Sequence, residues 1–289
     1  MPTRRNFIAT LGTLAGVIAC RSKGGASTAG AAAAMRGRRL DRIGIQLYSV
    51  RTEMQRDMPG TLTRLAEIGY KEVEFAGYFG RTAPEVRALL ERNKLAAPST
   101  HIGFTGLGPD WEKALDFAAS VGHTFATVPW IDEKDRKTLA DWHRHAADFN
   151  KAAERARARG LRFAYHNHDF EFKPVEGVVP FDLLLRETDP ALVSFEMDVY
   201  WVTEGGADPR AYMRQYPSRF VMLHVKDSAG PPKHEQVDVG KGVIDFVSIL
   251  RLDAEQKHAV EHVFVEHDQP ALPFEFAKNS FDYLKALEY

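Results

Sequence analysis

Four apolar runs in this chain release imidazoles and carboxylates together at their C-terminal ends. The first is Leu161 to Glu171, LRFAYHNHDFE, in which Phe163, Ala164 and Tyr165 give way to His166, Asn167, His168, Asp169 and Glu171. The others are SFEMD (Ser194 to Asp198), VMLHVKD (Val221 to Asp227) and VFVEHD (Val263 to Asp268). Buried carboxylates without a partner are costly, so acids in such positions are tolerated where they neutralise a cation or one another. A divalent metal is the simplest chemistry for the set. Imidazole with carboxylate suits zinc, manganese, iron or cobalt, and two or more carboxylates admit magnesium. Asp198, His224 and Glu266 lead as ligands, because acid, imidazole and acid end three consecutive runs. Trp201, just after the second of these, is placed to stack on a sugar ring.

The elements that must position these groups alternate along the chain. Strands are expected at Ile43–Tyr48, Glu72–Phe75, Ala97–His101, Thr124–Val128, Arg162–Asn167, Val193–Asp198, Phe220–Val225 and Val263–Glu266. Helical patterns lie between them at Pro59–Ile68, Ala83–Arg92, Asp110–Ser120, Asp135–Arg159, Pro180–Thr188, Asp208–Gln215 and Ile244–Leu250, with Pro273–Leu287 last. Gly69, Gly122 and Gly160 each punctuate the approach to a strand. Strands alternating with helices imply parallel pairing through crossovers, and this count and length match a single-domain (β/α)8 TIM barrel. A doubly wound sheet is the competitor, but no G-x-G-x-x-G follows the first strand.

A barrel collects inward side chains of its C-terminal rim around one site. Alternation lets His166 and His168 point inward together, as do Glu196 with Asp198 and His224 with Lys226. Glu266 joins them, and the early strands offer Gln46, Tyr48, Glu74 and His101. Glu196 has a competing expectation, to face the helix layer and pair with a surface arginine. Lys226 has one too, a rim salt bridge with Asp227. His123, His143, His145, His234, His258 and His262 are expected on solvated helices or loops. Trp111, Trp130 and Trp142 read as core or packing residues.

Lys and Arg number 38 against 39 Asp and Glu. A nucleic-acid binder should show a basic excess, so that class is disfavoured. The single cysteine, Cys20, rules out an internal disulfide. Thr3-Arg4-Arg5-Asn6-Phe7-Ile8 is a twin-arginine pattern, and the uncharged Ala9–Ala19 stretch is too short to span a bilayer. Val17-Ile18-Ala19-Cys20 resembles a bacterial lipobox. The expectation is a signal peptide over residues 1–19, lipidation at Cys20, a Gly/Ala/Ser-rich tether over 20–38 and a folded domain over 39–289. Export to the periplasm or cell surface is then expected, with membrane contact through the lipid anchor only. No surface pattern marks an oligomer.

YHNHDFEF (Tyr165–Phe172), FEMDVYW (Phe195–Trp201), HVKD (His224–Asp227) and FVEHD (Phe264–Asp268), in that order, resemble the sugar phosphate isomerase/epimerase group of xylose-isomerase-like TIM barrels. The resemblance runs from about Ile43 to Leu287. It implies one divalent metal held from strands five to eight by Glu, Asp, His and Glu. Asp198, His224 and Glu266 match three of these by position. At the fifth strand the chain departs, with His166 where many relatives have Glu. Either His166 replaces that ligand or Glu171 reaches back from the loop, and His166 is preferred because it lies within the strand.

The chemistry implied is proton abstraction beside a carbonyl of a carbohydrate or keto-sugar, giving an enediolate. Returned to the next carbon the proton isomerises, returned to the opposite face it epimerises, and loss of a β-leaving group is elimination. Glu266 or Glu171 is the expected base, His168 or His101 its partner, and Lys226 the electrostatic stabiliser. His101, Glu74, Tyr48 and Trp201 are expected to meet substrate. Two other classes stand beside this one: a non-catalytic carbohydrate-binding lipoprotein, and an endonuclease-like metallo-phosphodiesterase, which charge and export disfavour.

Overall fold

The computed structural model describes residues 37–289 apart from 257 and 258. The twin-arginine pattern, Cys20, nearly all of the tether and His258 therefore lie outside the described residues.

Eight strands close into a barrel: β1 Gly44–Gln46, β2 Glu72–Phe75, β3 Ala96–His101, β4 Phe125–Val128, β5 Arg162–His166, β6 Val193–Asp198, β7 Phe220–Val225 and β8 His262–Val265. Each pairs in parallel with its sequence neighbours, and β8 closes on β1 through Gly44↔Phe264 and Ile45↔Val265. The connecting helices are α1 Arg51–Ile68, α2 Ala83–Asn93, α3 Pro109–Val121, α4 Leu139–Arg157, α5 Pro180–Glu187, α6 Val199–Glu204, α7 Pro209–Gln215, α8 Phe246–Glu255 and α9 Pro273–Ala286. This is the (β/α)8 barrel that the alternation of patterns predicts. Among the described residues no helix is long and apolar enough to cross a membrane.

Local chemistry explains where the elements depart from expectation. β1 stops at Gln46, whose side-chain oxygen accepts the Tyr48 N–H at 3.0 Å and turns Leu47–Val50 into a 3-10 helix. Tyr48 is consequently on a turn, not a strand. α1 begins eight residues before Pro59, with a kink at Asp57, which leaves the helical region and accepts the Gly60 N–H at 3.0 Å. Pro59 is tolerated there because the first turn after a break needs no amide from it. α4 starts at Leu139 rather than Asp135 because Thr138 and Asp141 form a reciprocal capping box. The helix α6 and a two-stranded ladder, Asp227–Ser228 with Gln236–Val237, were not expected.

Two apolar layers hold the barrel. Outside it, α4 lays Phe149 against Phe163 and Tyr165 of β5, with ring centroids 5.3 and 4.9 Å apart. Inside, Phe125, Ala164, Met222 and Phe264 form a plug. Gly44 makes room for it, since a Cβ there would lie 2.5 Å from the Phe264 ring. With the plug in place, the polar strand ends have only the C-terminal end of the interior to occupy.

Three histidines expected in solvent are not there. His123 is buried and bonded to the Tyr78 hydroxyl at 2.8 Å, and His145 is buried against the Asp135 carbonyl at 2.7 Å. His262 belongs to β8 and pairs with buried Glu72 at 2.8 Å. Trp111 and Trp142 are core residues, but Trp130 is 42% exposed.

Candidate active site

Strand register assembles the site. His166 of β5 is level with Glu196 of β6, and Asp198 of β6 is level with His224 of β7. His166, Asp198, His224 and Glu266 consequently bring one ligand atom each within 4.8 Å of one another, all four buried. His224 Nδ1 lies 2.9 Å from Glu266 Oε2, and His166 Nε2 lies 3.9 Å from Asp198 Oδ2. Asp198 divides its work: Oδ1 caps α6 by accepting the Trp201 N–H at 3.1 Å, leaving Oδ2 to face the cluster. Asn167 clamps the Asp198 backbone on both sides, at 3.1 and 3.3 Å.

The donor set fits a divalent metal. Two imidazoles and two carboxylates converge in a buried position, and Asp198 Oδ2 has no aligned hydrogen bond there. Glu171 is not in the set. Its carboxylate accepts the Tyr165 hydroxyl at 2.5 Å and the His168 N–H at 2.8 Å, so it faces away from the barrel axis and latches its own loop. Burial pushes it up to about 7, against the lowering effect of those hydrogen bonds. The fifth-strand residue facing Asp198, His224 and Glu266 is His166.

A second layer lies deeper. Glu196 is fully buried and points into the barrel, not toward the helices, because Phe195 takes the outward position against Phe181 and Phe220. Its Oε2 lies 2.8 Å from His101 Nε2. Glu74, expected to meet substrate, has no exposed surface and is held by Gln46 Nε2 at 2.7 Å, Ser99 Oγ at 2.6 Å and His224 Nε2 at 2.6 Å.

Lys226 is the counter-charge. Its ammonium is buried 2.7 Å from Glu266 Oε2, 2.9 Å from Asp268 Oδ1 and 3.0 Å from Asp198 Oδ2. Burial alone would lower Lys226, but these three acids outweigh it and raise it. In turn, burial would raise Glu266, yet Lys226 and His224 hold it well below the usual carboxylate range. Burial lowers His166 to about 4, which favours the neutral imidazole that a metal requires. Asp227 is not the partner of Lys226. Its carboxylate accepts the backbone N–H groups of Ser228, Gly240, Gly242 and Ile244 at 2.9 to 3.2 Å and anchors that loop. Gly242 is required there, since a Cβ would sit 2.2 Å from Asp227 Oδ1.

The rim above is aromatic. The His168 ring lies 4.7 Å from Trp130, 5.4 Å from Trp201 and 5.6 Å from Phe170. Tyr48, 42% exposed, carries the Arg51 guanidinium 4.2 Å over its ring. The sequence reading gave no role to Asp268 or Asn167 and placed Trp130 in packing. The signal for Asp268 was present in FVEHD, and for Asn167 in its place between two inward histidines.

Residues 62–256 match the model of the xylose isomerase-like TIM barrel family. The chain belongs to this family. An inosose dehydratase of Geobacillus kaustophilus (strain HTA426) is 26% identical over 266 residues, which cover 78% of this chain and 86% of the relative. An inosose dehydratase of Lacticaseibacillus casei is 29% identical over 176 residues, 54% of this chain and 58% of the relative. Among solved structures, a sugar phosphate isomerase/epimerase from Parabacteroides distasonis ATCC 8503 superposes with a TM-score of 0.74 at 29% identity, covering 85% of this chain and 93% of that one. This xylose isomerase-like barrel therefore has relatives named for work on carbohydrates, by dehydration and by isomerisation or epimerisation.

Proposed function

We propose that this barrel is a divalent-metal-dependent enzyme that removes the proton beside the carbonyl of a carbohydrate or keto-sugar. Dehydration, isomerisation and epimerisation all begin with that cleavage and differ in the fate of the resulting enediolate. The observation that carries the reading is the placement of the Glu266 carboxylate, 2.7 Å from Lys226 Nζ and 2.9 Å from His224 Nδ1 at the edge of the donor set. Its side chain is 5% exposed, against none for Asp198 and His224. His166, Asp198, His224 and Glu266 would hold the metal, one of manganese, zinc, cobalt, iron or magnesium. When bound, the cation supplies Lewis acidity to the carbonyl and neighbouring hydroxyl, which acidifies the C–H between them.

Glu266 takes that proton. Lys226, fixed by its three acids, offsets the negative charge that develops on oxygen. His101 and His168, whose rings flank His166 at 5.3 and 5.0 Å, return a proton to carbon or give one to a departing β-hydroxyl. Trp201 and Trp130 supply stacking faces for the ring. The test is proton NMR of metal-loaded protein with a panel of keto-sugars and keto-cyclitols in deuterated water. Exchange or elimination at the carbon beside the carbonyl is the expected result. No exchange with any of them would leave only a binding protein.

Export is proposed on sequence alone, from the twin-arginine pattern and Cys20. Cells fed labelled palmitate should label the parent chain and not Cys20→Ser, and equal labelling would rule out the anchor.

A further inference from the structure

Two donor quartets overlap in this barrel. One is His166, Asp198, His224 and Glu266, and the other is His101, His166, Glu196 and His224. The two imidazoles they share use opposite ring nitrogens. His224 turns Nδ1 to Glu266 at 2.9 Å, while its Nε2 lies 2.6 Å from Glu74 and 3.2 Å from Glu196. His166 turns Nε2 towards Asp198 at 3.9 Å and Nδ1 towards Glu196 at 3.3 Å.

We infer that Glu196, supported by Glu74, is a positioning residue that fixes which nitrogen of each imidazole faces the metal, and that the deeper quartet holds no ion of its own. The inference rests on the metal-dependent reading above.

Once it ligates a metal an imidazole is neutral, with one N–H and one lone pair, so it cannot ligate on one side and also on the other. Glu74 pairs with His224 Nε2 at 2.6 Å and Glu196 Oε2 stands 3.3 Å from His166 Nδ1, which leaves His224 Nδ1 and His166 Nε2 to face the upper position. Metal-bound histidines commonly take this form, with the far N–H given to a carboxylate. Glu196 Oε2 gathers three imidazole nitrogens, at 2.8, 3.2 and 3.3 Å. Glu74 is already occupied by Gln46 and Ser99 as well as His224. Neither acid has any exposed surface, so neither can meet substrate. Of the three, His101 makes the hydrogen bond to Glu196, and the other two imidazoles face its negative charge; glutamine would bring a donating NH2 to the same place and remove that charge.

The test compares the full chain with Glu196→Gln and Glu74→Gln. It measures metal stoichiometry, affinity for cobalt(II) by competition, the visible spectrum of the cobalt(II) form, and melting of the metal-free proteins. The parent should bind about one equivalent, and Glu196→Gln should bind the same number roughly 10–100-fold more weakly, with a shifted cobalt spectrum. Glu74→Gln should weaken binding in the same direction through His224, and serves if Glu196→Gln does not fold. A purely structural role would lower melting but leave affinity and spectrum of the folded variants unmoved, and that outcome overturns the inference. Two equivalents in the parent, one of them lost in Glu196→Gln, would also overturn it, because the deeper quartet would then hold an ion. A parent that binds no metal removes the metal-dependent reading as well.

Discussion

Replacing His224 with alanine should empty the proposed metal site and abolish the proposed turnover while the barrel stays folded. The imidazole has no exposed surface and, among the described residues, is the one that reaches all of Glu74, Glu196 and Glu266, at 2.6, 3.2 and 2.9 Å. Alanine removes a lone pair from the upper quartet and leaves those acids facing a void. Buried acids in that position take up protons rather than remain charged, so the plug and helix layers can persist without a metal. Metal content should fall from about one equivalent to near zero. Loss of the several kcal/mol of transition-state stabilisation that a metal supplies corresponds to about 10^3-fold or more in exchange rate. Elemental analysis with circular dichroism reads the first part and NMR exchange the second. A His224→Ala protein that keeps a full equivalent of metal would show that the ligands lie elsewhere.

The barrel was legible because its evidence is local and repeated. Apolar runs of strand length, glycines such as Gly69, Gly122 and Gly160 ahead of strands, and amphipathic stretches between them leave few other architectures. The inward set at each strand end was partly legible from alternation, which joins His224 to Lys226 and Glu196 to Asp198. What alternation cannot supply is the height of one strand against the next. His166 meets Asp198, and Glu171 does not, because β5 ends at His166 and Tyr165 faces outward to hold Glu171. The orientation of Glu196 was open for a similar reason: the β6–β7 register shifts between Phe195 and Glu196. Tyr48 lost its place on β1 to a side chain–backbone bond from Gln46, a preference that an apolar pattern does not record. Helix α6 was hidden because VYWVTE is rich in β-branched and aromatic residues and reads as strand; Asp198 caps it into a helix. FVEHD places Asp268 at the end of a run, but its pairing with Lys226 across the rim is a long-range contact that the motif does not specify.

Lys226→Met gives the second large effect, and it separates stability from catalysis. Among the described residues its ammonium is the one lysine or arginine cation paired with Asp198 and Glu266, and it reaches Asp268 as well. Methionine fills much of the same volume, so the change removes charge more than packing. Breaking a buried ion pair from one side costs about 3–5 kcal/mol. For a domain of this size that lowers melting of the metal-free protein by about 6–20 °C. A divalent cation neutralises Asp198 and Glu266 in its place, so metal should recover much of the lost stability. Turnover should not recover with it. In the proposed mechanism the positive charge that faces developing negative charge on substrate oxygen is gone, and removal of one such group costs about 10^2–10^3-fold. The diagnostic result is therefore a variant that metal restores in melting but not in rate. Full exchange activity in Lys226→Met would remove the lysine from the chemistry and leave it as the structural counter-ion of three acids.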